Sequence, residues 1–358
     1  MDLNDLRKAI DAIDSQLLKL LNERMEYVKK VGEFKHKTGG SIYRPEREKA
    51  IIQRLQKENS GALSDSAIEA IFLELFATSR NIERPEKVAY LGPEGSFTHQ
   101  AAEGRFGGVS DYLPMSSISA VFKAVEAGRA KFAVVPIENN SDGFVGETLD
   151  NLETTDLKIV ADVEIGIHHC FASLSESLKG IEKIYSKDIA FGQCRGFLSE
   201  HSLEDVELVL VESTAKAAKL AAKDPKSAAI CSKIAANLYA LPTLFDNIED
   251  NHNNTTRFII LSDFQNAASG NDKTTILAKL PAKAGSLFEF LKYFYDRKIN
   301  LTKIESRPAT KGSFSKDDEY FQYWFYIEFE GHFDDAKVQE IIKLQQNSIK
   351  WLGSYVQN

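Results

Sequence analysis

Leu6–Val31 reads LRKAIDAIDSQLLKLLNERMEYVKKV, and this stretch decides the first part of the fold. Leu6, Ile10, Ile13, Leu17, Leu20, Val28 and Val31 recur at the 3.6-residue period of one helix face. The helix runs on until Gly39-Gly40 ends it. About 35 residues at ~1.5 Å each span roughly 50 Å, whereas a compact domain of about 84 residues has a radius of gyration near ~12 Å. One subunit cannot cover such a stripe, so the sequence predicts an intertwined helical dimer. Pro45 suits the first turn of a second helix, and Ser64 caps a third that runs to about Ile82, before Pro85 closes the segment.

The chain has 358 residues, which favours two or three domains. With 43% hydrophobic and 27% charged residues it reads as globular, not disordered. No apolar run approaches the roughly 18 residues of a membrane span, and the charged N-terminus does not read as a signal peptide. Three cysteines without a CxxC pair point to neither a disulfide framework nor a zinc site, so a cytoplasmic location with reduced thiols is expected. The formal charge of −8 disfavours nucleic acid as a partner. It is unevenly spread: residues 1–84 hold 15 Lys/Arg against 14 Asp/Glu, leaving 29 against 38 elsewhere.

Several of those N-terminal charges fall where apolar residues belong. At ~100° per residue from Leu6, Arg24 returns to 0° and Lys35 to 20°, the centre of the stripe, while Arg7 sits on its flank. Arg47 and Glu48 lie close to the face of Ile51 and Leu55, and Ser79 and Glu83 continue the stripe of Ile68, Phe72 and Leu75. Long stems that snorkel to water would explain one such cation. Several together imply an anionic ligand with more than one carboxylate, because unpaired buried cations are costly.

Leu6-Arg7, Asn22-Glu23-Arg24, Val31-Gly32 with Lys35, and Arg44-Pro45-Glu46-Arg47-Glu48 resemble the all-helical chorismate mutases over residues 1–84. That resemblance implies a three-helix protomer in an interlocked dimer. It also implies that Arg7 (from the partner chain), Arg24, Lys35 and Arg47 hold the substrate carboxylates and ether oxygen. Arg44 would lie at the substrate, Glu48 would accept from the ring hydroxyl, and Ser79 and Glu83 would sit at the far end. Arg44 stands where some members have Asp, and Glu83 where many have Gln. A [3,3] rearrangement needs no nucleophile, only a held conformer and donors where the ether oxygen gains charge.

From Val88 to about Phe264, short apolar runs alternate with Ala-rich helical stretches, which predicts an α/β domain on largely parallel sheets. Three polar elements stand out. Gly92–Thr98 (GPEGSFT) is a strand-to-helix loop of anion-nest type. Glu138-Asn139-Asn140-Ser141 follows an apolar strand, and Asn253-Asn254-Thr255-Thr256-Arg257-Phe258 feeds another. Polar side chains at strand ends line crevices in α/β folds. In this order the three resemble the prephenate dehydratases across residues 88–264, as do Gly166–Cys170, Phe191–Arg195 and Ala228–Ser232. The resemblance implies two lobes like a periplasmic binding protein with the active site between them. Thr256 corresponds to the family's essential threonine. Ser96, Phe97, Thr98, Thr255, Arg257 and Phe258 would contact substrate, with Glu138, Asn139 and Ser141 on the opposite wall. Asn140 and Ser186–Ile189 depart from the family pattern, so nothing catalytic is carried onto residues 187–189. His168 and His169 are expected on opposite faces of a strand, as structural residues and not metal ligands.

Gln265–Lys273 reads as a linker. Residues 274–358 read as strand, helix, strand, strand, helix, and with Glu305-Ser306-Arg307-Pro308 they resemble an α+β ferredoxin-like ACT regulatory domain over residues 273–358. Its phenylalanine-sensing form implies effector contacts at Gly285, Ser286, Leu287, Asn300, Leu301, Glu305, Ser306, Arg307 and Pro308. Ser286 and Phe288 depart from the usual turn, and the loop 309–319 is long and charged. Taken whole, the chain resembles the bifunctional family that joins both activities. That implies chorismate and prephenate as substrates, L-phenylalanine as effector, a homodimer or tetramer, and no metal or cofactor, since neither step is a redox reaction. A dehydratase for prephenate or arogenate with a vestigial mutase, or a non-enzymatic binder of aromatic ligands, remains open on the sequence.

Overall fold

The computed structural model describes residues 2–38, 43–83, 85–281, 283–308 and 323–357. The helix stop at Gly39-Gly40 and the loop 309–319 lie outside them. Two compact units result, one of residues 1–86 with 106–111 and one of the remainder.

The first unit is helical: α1 (Leu3–Thr38), α2 (Pro45–Glu58) and α3 (Asp65–Glu83). Ser64 caps α3 as expected, its Oγ accepting from the Ala67 amide at 3.2 Å. Ile68, Phe76 and Ala77 bury the inner face of α3. Gly32 allows α1 to approach closely, since a Cβ there would lie 3.3 Å from the Glu83 Cα. Within one chain the predicted stripe of α1 stays open, with Ile10 56% and Leu20 62% exposed.

The second unit starts with β1 (Lys87–Leu91), α4 (Phe97–Phe106), β2 (Asp111–Met115), α5 (Ile118–Glu126), β3 (Phe132–Asn139), β4 (Gly143–Phe144), α6 (Gly146–Thr154) and β5 (Lys158–Gly166). The chain then crosses into a second lobe. This comprises β6 (Cys170–Ser173), β7 (Lys183–Ser186), α7 (Asp188–Gln193), α8 (Arg195–Glu200), β8 (Glu207–Leu210), α9 (Thr214–Ala221), β9 (Ser227–Cys231), α10 (Lys233–Leu238) and β10 (Thr243–Phe245). It returns as β11 (Thr255–Ser262), which inserts between β3 and β5 to give the order β2-β1-β3-β11-β5. β11 runs antiparallel to both neighbours. The sheets are therefore mixed, not largely parallel, because a strand returning from the other lobe enters against the grain.

β12 (Asp272–Leu280), α11 (Ser286–Asp296), β13 (Leu301–Pro308), β14 (Tyr323–Glu330), α12 (Ala336–Leu344) and β15 (Ile349–Val356) complete the unit as a four-stranded sheet, β13-β14-β12-β15. β15 was not anticipated; Gly353 and a register shift break its alternation. A side chain at Gly353 would run into the Ile159 backbone, so glycine permits β15 to pack on β5. Nor is 265–273 a free linker. Asn266 is buried and its Nδ2 donates to Val160 O at 2.7 Å and Ser354 O at 3.2 Å.

Candidate active sites

In the helical unit, the seam between α1 and α3 gathers four of the expected residues. Arg24 Nη1 donates to Ser79 Oγ at 2.6 Å, and Ser79 Oγ donates on to Leu75 O at 2.6 Å. Three turns along α1, Lys35 Nζ meets Glu83 Oε2 at 2.9 Å. Burial draws the Arg24 pKa below its usual value, with Glu83 opposing. Glu48 is buried, as the sequence reading required, but it is paired with Arg80. Arg80 Nη2 also donates to Phe106 O at 2.9 Å, and its guanidinium lies 5.8 Å from the Tyr43 ring and 5.6 Å from that of Phe106. The sequence reading did not single out Arg80, although it continues the four-residue spacing from Phe72 to Phe76. Arg47 is exposed, against the inward placement expected, because α2 turns Pro45 and Glu48 inward instead. Arg44 is exposed and pairs with Glu46 at 2.6 Å, and Arg7 is exposed.

In the α/β unit, Asn139 organises the cleft. Its Oδ1 accepts the Ser141 amide at 2.8 Å and the Asp142 amide at 3.1 Å. That fixes the orientation of the side-chain amide. Nδ2 therefore donates, to Thr256 Oγ1 at 2.8 Å, Asn254 Oδ1 at 2.9 Å and Thr255 O at 3.1 Å. Because Thr256 Oγ1 accepts from Asn139, its own hydrogen is free to serve a ligand. Thr255 is half-buried, and its amide donates to Asn140 Oδ1 at 3.2 Å. Ser141 is exposed and bonded to Asn140. In the glycine loop, Ser96 Oγ caps α4 by accepting the His99 amide at 3.2 Å and donates to Leu91 O at 3.0 Å. Thr98 is buried. Ser232 Oγ donates to Gly95 O at 2.8 Å, tying the loop to the second lobe.

Phe97 reaches across the lobes to meet the His169 ring edge-on at 5.5 Å between centroids. His168 and His169 lie between β5 and β6, not within a strand as expected. Glu249 holds both, with Oε1 2.7 Å from His168 Nδ1 and Oε2 accepting the His169 amide at 2.8 Å. Burial opposes the Glu249 carboxylate, but the His168 contact and backbone donors keep its pKa below the usual range. Burial also lowers the pKa of His169. A cavity of about 650 Å³ opens between the lobes beside the glycine loop, lined by Pro93, Met115, Lys216, Lys219 and Tyr239 among others, with neither Asn139 nor Thr256 in its wall.

Two expected wall residues face elsewhere. Arg257 and Glu138 are register partners one step from Thr256 and Asn139. Side chains alternate along a strand, so both turn to the C-terminal sheet. Arg257 pairs with Glu328 and Glu138 with Lys303. Phe258 follows a register shift and is buried in the sheet core. These three therefore lie outside the Asn139–Thr256 cluster, Arg257 and Glu138 against the C-terminal sheet and Phe258 in the sheet core.

At the tail, Gly285 (φ +87) opens α11, and Ser286 is 9% exposed with no hydrogen-bond partner for its Oγ among the described residues. Leu287 and Leu301 pack against the helix-side core. Asn300 Nδ2 donates to Glu330 Oε1 at 2.9 Å. Ser306 and Pro308 are exposed and Glu305 is half-buried. Arg307 turns to the first lobe, 3.7 Å from Asp150, instead of toward the Gly285 turn. Lys303, Glu305 and Arg307 share that face of β13 by alternation.

Comparison with known proteins bears on both sites. Residues 6–84 match the model of type II chorismate mutases and residues 88–266 that of prephenate dehydratases. A bifunctional chorismate mutase/prephenate dehydratase of Aquifex aeolicus is 40% identical, over 99% of this chain and 98% of that one. One from Neisseria gonorrhoeae is 38% identical, over 98% and 95%. The solved prephenate dehydratase of Arthrobacter aurescens, in complex with L-Phe, superposes with a TM-score of 0.65 at 32% identity, covering 76% of this chain and 90% of that one. The helical unit and the α/β unit thus match the two families in turn, full-length relatives carry both, and the chain belongs to the bifunctional chorismate mutase/prephenate dehydratase family.

Proposed function

We propose a division of labour for the two activities of this family, which rearranges chorismate to prephenate and converts prephenate to phenylpyruvate, carbon dioxide and water. Residues 1–84 carry the mutase, 88–264 the dehydratase and 273–358 a ferredoxin-like ACT domain that binds L-phenylalanine. In the mutase, Arg24 and Lys35 hold the substrate's carboxylate and ether oxygen, Glu48 accepts from the ring hydroxyl, and Ser79 and Glu83 close the far end. Arg7 comes from a partner chain. The open stripe on α1 supports a homodimer, since 36 residues extend well past what one subunit covers. Rate enhancement comes from holding the reactive conformer and placing donors where the ether oxygen gains charge.

In the cleft, prephenate loses its carboxylate and ring hydroxyl together, so the leaving oxygen needs a donor. A threonine hydroxyl is too weak an acid to release a free proton at pH 7. Thr256 acts instead as a hydrogen-bond donor, aimed by Asn139. That Asn139–Thr256 bond is the observation that carries the reading. For the tail, the relative solved with L-Phe and the unpartnered Ser286 hydroxyl support an amino-acid site at the Gly285 turn. The antiparallel βαββαβ order supports the ACT assignment. The three free cysteines, all buried, agree with a cytoplasmic setting. Purified protein assayed with chorismate, then prephenate, with and without L-phenylalanine, tests the whole reading. Both substrates should turn over, and the amino acid should slow only the second. Absence of either turnover would remove that domain's assignment.

A further inference from the structure

The residues behind the cleft form a second organised cluster. Arg257 Nη1 lies 2.9 Å from Glu328 Oε2, and Nη2 also meets that carboxylate and the Tyr326 hydroxyl at 3.3 Å. Tyr326 donates to Glu328 Oε1 at 2.7 Å, and Tyr355 approaches the same oxygen at 3.4 Å. Lys273 Nζ contacts Asp162 Oδ2 at 2.6 Å, with Arg257 Nε 3.8 Å from that atom. Arg257 and Lys273 thus balance Glu328 and Asp162 in a buried layer between β11 and β14. Burial works against charge on Arg257 and on Glu328, yet the pair holds both ionised, the arginine above and the glutamate below its ordinary pKa.

The backbone that links this layer to the cleft is irregular. Thr256 and Arg257 pair with Asn139 and Glu138, but the next step pairs Phe258 with Pro136, so one residue of β3 is extra. A bulge of this kind re-aims side chains and interrupts the ladder that would otherwise fix them. There β11 stays laddered to β5, and on the irregular β3 side its alignment depends on flanking side chains, Asn139 on one face and Glu328 on the other.

We propose that Glu328, on the C-terminal sheet, is a positioning residue for the dehydratase site. It clamps Arg257, and through the single peptide unit between Arg257 and Thr256 it fixes the threonine hydroxyl against Asn139. Lys303 does the same for Asn139 through Glu138. A ligand that shifts the C-terminal sheet therefore alters the donor geometry directly. This inference rests on the reading of Thr256 as the donor.

The test is dehydratase kinetics on the full chain, with mutase rate and circular dichroism measured on the same samples as controls for folding. Glu328→Gln keeps the shape but leaves Arg257 with an uncompensated charge. The expected result is a fall in kcat of at least tenfold with KM within threefold, while mutase rate stays within twofold. A merely structural role would lower the folded fraction read by circular dichroism in step with apparent kcat, whereas mispositioning lowers kcat with the folded fraction unchanged. Folded Glu328→Gln with kcat within twofold of wild type overturns the proposal. If Glu328→Gln does not fold, Lys303→Met decides, because that side chain is 26% exposed and lies at the edge of the layer. A threefold or greater loss of kcat supports the proposal, and a smaller one overturns it. Thr256→Val separates the two levels. Full turnover in that variant removes the donor reading and this inference with it. Loss there alongside full turnover in Glu328→Gln removes only the positioning role.

Discussion

Arg80→Met removes the cation that holds Glu48, and its cost follows from the burial of the pair. Arg80 and Glu48 side chains are 7% and 11% exposed. Breaking one partner of a buried pair costs about 3–5 kcal/mol, because the survivor is left charged and dry. The penalty has a ceiling, since protonating an ordinary carboxylate at pH 7 costs about 3.7 kcal/mol. The lost bond to Phe106 O adds about 1 kcal/mol. Methionine keeps most of the contact with the Tyr43 and Phe106 rings. A local destabilisation of about 4–5 kcal/mol is therefore expected, read by hydrogen exchange in Asp65–Glu83, since a multidomain chain has no single unfolding midpoint. Replacing the carboxylate as well, in Arg80→Met/Glu48→Gln, removes the buried charge that lost its arginine and should recover at least half of the loss. Exchange within about 1 kcal/mol of wild type in the single variant, or no recovery in the double, would refute the reasoning.

Three further outcomes are expected. Glu83→Gln puts a permanent donor at the end of the mutase site in place of the carboxylate that Lys35 holds, so mutase kcat/KM should rise at neutral pH; an unchanged or lower value contradicts this. L-phenylalanine should bind the intact chain by calorimetry and slow the dehydratase, with Ser286→Val weakening binding about 2- to 12-fold, the worth of one hydrogen bond; no heat of binding contradicts it. Burial lowers the His169 pKa, and its Nδ1 has no partner among the described residues, so the fold holds it neutral. Its contribution is complete above the ordinary value of about 6.5 and is lost as pH falls through the folded pKa. Thermal stability of the α/β unit should therefore fall as pH drops below about 6.5, less steeply in His169→Gln.

The long helix was legible because a single period runs through it, and the embedded Arg24, Lys35, Ser79 and Glu83 were legible because charge interrupted that period. Arg80 shared the spacing of Phe72 and Phe76 but met Glu48 and Phe106, partners that only tertiary packing brings together. Thr256 and Asn139 were found by motif. Arg257 and Glu138, their immediate neighbours, were misplaced for a definite reason: alternation tells that adjacent residues face opposite sides, but not which side the C-terminal sheet covers. β15 escaped because Gly353 and a register shift erase its pattern. Glu249, which holds two histidines some 80 residues away in sequence, carried no local signal.

The central claim is that two separate sites share this chain, one built on Arg24 and one on Thr256. Both activities measured in both Arg24→Ala and Thr256→Val test it most directly. Losing a charge-assisted donor costs about 2–4 kcal/mol in the transition state, so Arg24→Ala should lower mutase kcat/KM about 30- to 900-fold and leave prephenate turnover intact. Thr256→Val should do the reverse, with kcat falling far more than KM rises. Either variant lowering both activities alike, or leaving its own activity within threefold of wild type, would contradict the account.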